Sequence, residues 1–103
     1  MNTDELYDGL VEFYGVENQI VIAVEELSEL QKELCKLLRG TKKITAISEE
    51  MADVEIVLEQ LKRYFKNHEI VKQIKVSKLN RTVERLNTSR LKAAKEEVLN
   101  ESK

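Results

Sequence analysis

Four carboxylates stand in two pairs three residues apart, Glu26 with Glu29 in VEELSEL and Glu50 with Asp53 in EEMADV. On a helix, residues three apart share a face, so each pair can offer two oxygen ligands in one direction. Four such groups brought together repel one another, and they must take up protons or recruit a cation. Hard oxygen ligands of this kind select Mg²⁺ or Mn²⁺ rather than zinc. Spacing alone is weak evidence. With 19 acids in 103 residues, about three acid-x-x-acid pairs are expected by chance, and three occur, the third being Glu5 with Asp8.

The phase of the acids on their helices says more. Ile20, Ala23, Leu27, Leu30, Leu34 and Leu37 recur at alternating steps of three and four, which predicts a helix from about Glu17 to Arg39 with a heptad seam. Ile47, Met51, Val54, Leu58, Leu61 and Phe65 predict another, beginning between Ile44 and Ser48 with Thr45 or Ser48 as its cap. Gly40-Thr41-Lys42-Lys43 between them can only reverse the chain, so the pair forms an antiparallel hairpin. At ~100° per residue, Glu26 and Glu29 fall ~70° and ~130° from the centre of their stripe, and Glu50 and Asp53 ~60° and ~120° from theirs, on the same side. In an antiparallel pair, like flanks face the same way, and the two acid pairs can therefore converge. Glu25 points almost opposite the seam and reads as solvated. Glu33 shares the flank of Glu29 and could support the cluster from outside.

The remaining elements are read more briefly. Asn2 or Thr3 can cap a first helix that opens on Asp4 and Glu5, carries Leu6, Leu10, Phe13 and Tyr14, and ends at Gly15 in the left-handed conformation. Asn67-His68 marks a break. A fourth helix spans about Glu69 to Leu86 with a phase slip near Val76, and Asn87-Thr88-Ser89 interrupts it. The expected organisation is one helical domain over residues 1–87 and a helical or disordered tail over 88–103. The fold class is all-α, a helical bundle built on the central hairpin.

Composition narrows the function classes. Hydrophobic residues make up 42% and charged ones 35%, with no Pro and three Gly, as expected of a soluble, mainly helical chain. No apolar run approaches the ~20 residues of a membrane span, and the single cysteine excludes a disulfide framework and suits a reducing cytoplasm. Cys35 reads as a small buried apolar side chain without chemistry. The net charge of -2 hides an acidic first part, with 14 acids and 5 bases in residues 1–60, and a basic remainder, with 12 bases and 5 acids. The two parts can simply attract each other, or can bind cations and phosphates respectively. Lys78, Arg81 and Arg85 share a face, with Lys75 nearby, and are candidates for gripping phosphate oxygens or for a solvated basic face. Lys32 and Lys36, beside the first acid pair, are further candidates. The basic stretch lacks interleaved aromatics, so no nucleic-acid partner is expected. His68 reads as a cap or surface residue. Tyr7, Tyr14, Tyr64 and the two Phe read as core, with Tyr14 or Phe13 able to border a base pocket in an oligomer. Ile20-Val21-Ile22-Ala23-Val24 is apolar on every side, which points to burial against a second copy of the chain.

EELSEL followed by EEMADV, with twenty residues between Glu29 and Glu50 on a helical hairpin, resembles the E-x-x-E and E-x-x-D signature of the MazG-like, all-α nucleoside triphosphate pyrophosphohydrolases. The likeness is strongest to short, single-domain, phage-type members. It runs from about Tyr14 to Leu86 and takes in YGVENQ before the first motif and KLNRTVERL after the second. The resemblance implies a hydrolase that binds Mg²⁺, with Mn²⁺ able to substitute, through Glu26, Glu29, Glu50 and Asp53. It would cleave a nucleoside or deoxynucleoside triphosphate between the α and β phosphates, and would work as a cytoplasmic homodimer or homotetramer. Two alternatives stand beside it: a non-enzymatic helical oligomerisation module, and a degenerate family member that binds nucleotide without turnover.

Overall fold

The computed structural model describes residues 1–101. It contains three helices and, among the described residues, no strand: α1 (Thr3–Leu38), α2 (Ile44–Phe65) and α3 (His68–Glu101). Met1–Asn67 form one compact unit, and a second begins at His68. The division falls ahead of the one placed at residues 87 and 88 from the sequence.

In the first unit, Asn2 caps α1 by accepting the Glu5 N–H at 2.8 Å, and Asp4 and Glu5 sit where the helix dipole favours negative charge. As expected, the first helical stretch ends at Gly15 with positive φ, although its ψ lies outside the left-handed helical region. Its φ of 74° and ψ of 169° break the helical path inside α1, and regular helix continues on either side. That combination is open almost only to glycine, and a Cβ there would meet nothing within 4 Å, so the backbone angles alone demand the residue type. α1 ends in a Schellman pattern, with Gly40 at φ 99° and with Thr41 N–H bonding Lys36 O and Gly40 N–H bonding Leu37 O. α2 starts at Ile44 with no side-chain cap. Ser48, expected as a possible cap, instead turns its hydroxyl back to Ile44 O at 2.7 Å from inside the helix.

The two helices meet along a small core of Ala23, Ile47, Val54 and Val57, with the amides of Gln19 and Gln60 buried beside them. This contact is rotated from the heptad seam toward the acidic flank. Val57, off the seam, is buried, whereas Ile20, Leu27 and Leu34 on α1 and Met51, Leu58 and Phe65 on α2 stay exposed. Both exposed rows repeat every seventh residue, so each forms a stripe along its helix. The aromatic side chains are not the core expected of them: Phe13 is 79% exposed, and Tyr64 and Phe65 are exposed as well. Cys35 is exposed too. It lies nine positions from Glu26, about half a turn away from the contact face at ~100° per residue.

Arg63 fixes the part of α1 before Gly15. Its guanidinium donates to Asp4 at 2.6 Å, Asp8 at 3.2 Å and Glu59 at 3.0 Å, and its carbon lies 5.0 Å from the centre of the Tyr7 ring. The bond to Asp4, ahead of those to Glu59 and Asp8, holds its pKa above the ordinary arginine value.

The second unit is α3 taken by itself, with no buried residue among those described. It runs unbroken through Asn87-Thr88-Ser89, where an interruption was expected. Asn, Thr and Ser each cost a helix only a fraction of a kcal/mol, and the Leu91 to Lys95 stretch that follows favours helix. Ser102 and Lys103, the end of the expected tail, lie outside the described residues.

Arg63→Gln is expected to speed amide hydrogen exchange in residues 3–14 selectively, leaving 16–38 and 44–62 protected. Its Tm should fall, and the drop should shrink at high salt because these ion pairs are largely open to solvent.

Candidate metal centre

Glu26 comes from α1 after the Gly15 break, and Glu50 and Asp53 from the first half of α2. One carboxylate oxygen of each lies within 4.8 Å of the other two. Mg²⁺ binds oxygen at about 2.1 Å, so opposite ligands of an octahedron stand about 4.2 Å apart, and small side-chain movements would bring the three onto one ion. Glu26 and Glu50 are half-buried and Asp53 is exposed, so the group sits at the edge of the helix contact with one side open to water.

The electrostatics agree with a site short of positive charge. Glu26 has its pKa raised, first by desolvation, then by the charges of Asp53 and Glu50, with the Asp53 carboxyl also in hydrogen-bonding reach. Glu50 is raised by desolvation, then by Asp53, Glu29 and Glu33. Glu29, the fourth acid singled out from sequence, stands outside the trio but close enough for its charge to act on Glu50. Glu33 is engaged by Lys36 at 3.1 Å, which draws that lysine into an ion pair.

Lys32 is exposed on the same turn of α1 as Glu29. Lys78, Arg81 and Arg85 are exposed on α3, in the second unit, where steps of three and four keep them on one stripe. His68 is the first residue of α3.

Sequence reasoning missed what lies beside the acids. A cavity of about 260 Å³ opens between the hairpin and the segment before Gly15, with Glu26 and Asp53 among its lining and Leu10 and Tyr14 as its outer wall. Tyr14 thus borders a cavity within a single chain. Gln19, fully buried, ties this segment down by donating from Nε2 to Leu10 O at 3.4 Å, and its Oε1 has no protein partner. The available signal was Gly15, whose turn lets residues 3–14 leave the axis of the rest of α1 and lie against α2.

Raised carboxyl pKa values fix a sign. Protons bind the metal-free folded state more tightly than the unfolded chain, so the stability these two groups contribute is present below their ordinary 4.5 and lost as pH rises through the raised values. The Tm of Glu50→Gln relative to the natural chain should therefore increase as pH goes from about 4 to 7 without metal. Mn²⁺ should raise the Tm of the natural chain more at pH 7 than at pH 4.5, and its binding should release protons in calorimetry near the raised values. Compared with protein-family models, with curated proteins and with solved structures, the chain gives no match.

Proposed function

We propose that the protein is a Mg²⁺-dependent nucleotide pyrophosphohydrolase that converts a nucleoside or deoxynucleoside triphosphate into the monophosphate and pyrophosphate. The observation that carries this reading is the convergence of Glu26, Glu50 and Asp53 from two antiparallel helices, at the positions that resemble the MazG-like signature. Glu26, Glu50 and Asp53 would hold the ion. When bound, it neutralises phosphate oxygens and makes a water nucleophilic at neutral pH. Glu29, exposed and near enough for its charge to act on Glu50, would be a candidate to orient or deprotonate that water. The water oxygen would bond to the α phosphorus as the bond to the bridging oxygen breaks and pyrophosphate leaves. Lys32 and the Lys78, Arg81 and Arg85 stripe are the chain's candidates for phosphate contacts.

The exposed rows Ile20, Leu27, Leu34 and Met51, Leu58, Phe65 support assembly as a homodimer or homotetramer, since apolar stripes at heptad spacing bury best against another helical surface. The same rows favour the second reading, a helical interaction module whose acids face solvent. That reading predicts an oligomer with no metal-dependent chemistry.

Incubation with a panel of NTPs and dNTPs plus Mg²⁺ should release pyrophosphate. Glu50→Gln and Asp53→Asn should each lower the rate on the order of 100-fold or more while keeping helicity, with Tm unchanged or slightly higher as repulsion is relieved. Absence of release across the panel, together with Mn²⁺ binding indifferent to these substitutions, would leave the interaction module standing. In sedimentation, the natural chain should exceed its monomer mass of 12.0 kDa, and Leu27→Glu with Leu58→Glu should return it toward the monomer.

A further inference from the structure

The cavity beside the acids holds a residue that metal binding does not explain. Gln60 is only 5% exposed and lines the cavity with Ile22, Ile56 and Val57, opposite Leu10 and Tyr14. Among the described residues its carboxamide makes no hydrogen bond, yet its polar atoms, unlike Gln19 Oε1, stay within reach of water. A carboxamide within reach of water in a cavity wall can exchange its water hydrogen bonds for hydrogen bonds to a ligand.

The remaining features define such a ligand. Leu10, Ile22, Ile56 and Val57 give aliphatic walls and Tyr14 an aromatic one, with Glu26, Asp53 and Gln60 as the polar part of the lining, so a group held between those walls is apolar across its faces. The volume of about 260 Å³ falls below the ~300–1,000 Å³ of pockets that enclose a whole small molecule, and therefore suits a ring system with the rest of the molecule outside. Glu26 and Asp53 line the same cavity, so the outlying part is one that reaches a carboxylate-held cation, such as a phosphate. A carboxamide offers a donor and an acceptor side by side, and it pairs best with a ring edge that offers the complement.

We propose that Gln60 selects the base of the substrate: the cavity takes a flat nitrogen heterocycle, with its hydrogen-bonding edge against the Gln60 carboxamide and its face along Tyr14, and the phosphates leave past Glu26 and Asp53. This rests on the nucleotide reading above and adds to it the residue that discriminates between bases. Gln60 is placed to touch substrate without touching the reacting phosphates, so it governs choice rather than bond breaking.

The test separates the two readings by removing the phosphates. Unphosphorylated nucleosides are titrated into the full-length, metal-free protein and followed by backbone amide NMR. One or two bases should shift Leu10, Tyr14, Ile56, Val57 and Gln60, binding ~10-fold or more tighter than the others, because a site built on hydrogen bonds rejects a mismatched edge. Gln60→Met, close in size and shape, should keep the fold by circular dichroism and reduce that preference to near parity. Gln60→Glu, which keeps an acceptor and loses the donor, should change which base is preferred. In the turnover assay, Gln60→Met should compress the ratio of kcat/KM between best and worst bases ~10-fold or more, with Mn²⁺ affinity unchanged. Nucleosides that leave these amides unmoved, or shift them alike in the natural chain and in both variants, overturn the proposal even if pyrophosphate is released. Base-selective shifts lost in Gln60→Met support it even if no pyrophosphate is released, in which case hydrolysis alone fails.

Discussion

Two antiparallel helices hold three carboxylates within 4.8 Å of one another against their mutual repulsion, and what is distinctive about the first unit follows from that. The force that holds them is modest. Among the described residues, Ala23, Ile47, Val54 and Val57 are the buried apolar side chains. Desolvation and neighbouring charge raise the Glu26 and Glu50 pKa values, so these two groups work against the hairpin once ionised, and a divalent cation would relieve that cost.

The division of each apolar stripe gives the hairpin two unlike sides. A heptad seam is centred on its helix, but the intramolecular contact has shifted toward the acids, and it covers only part of the apolar surface. Among the apolar side chains the hairpin leaves uncovered are two rows, Ile20 to Leu34 and Met51 to Phe65, on the flank away from the carboxylates. These two rows and the candidate site thus lie on opposite flanks, and a second copy covering the rows would leave the acids accessible.

The acids, the turn and the antiparallel hairpin were legible in the sequence because each rests on local rules: 3.6-residue periodicity, glycine after a helix end, and phase around the axis. Phase also placed Glu26, Glu50 and Asp53 on matching flanks, and these three converge, with Glu29 one step further out. The contact face was less legible, because a wide apolar stripe does not say which of its edges a partner covers; hence Val57 is buried and Leu58 is not. Arg63 meets Asp8 and Asp4 across the fold, with Tyr7 beneath its guanidinium, and no periodicity predicts a pairing between residues 55 or 59 positions apart. Gln60 reads as one more polar residue on an amphipathic helix, and its burial depends wholly on what packs over it. The Asn87 to Ser89 interruption failed for the opposite reason, since three weak local preferences were given more weight than the helix formers after them.

The Gly15 break separates contacts by their distance along the chain. The helices after it close over a turn of five residues, 39–43, whereas the segment before it is held by Arg63, more than fifty positions away. Short loops close at lower entropic cost and sooner, so the hairpin with its carboxylates forms first, and residues 3–14 dock onto a surface already made. The three carboxylates and the cavity therefore belong to different stages of folding, and a nascent or locally opened chain presents the acids before it has a pocket to go with them.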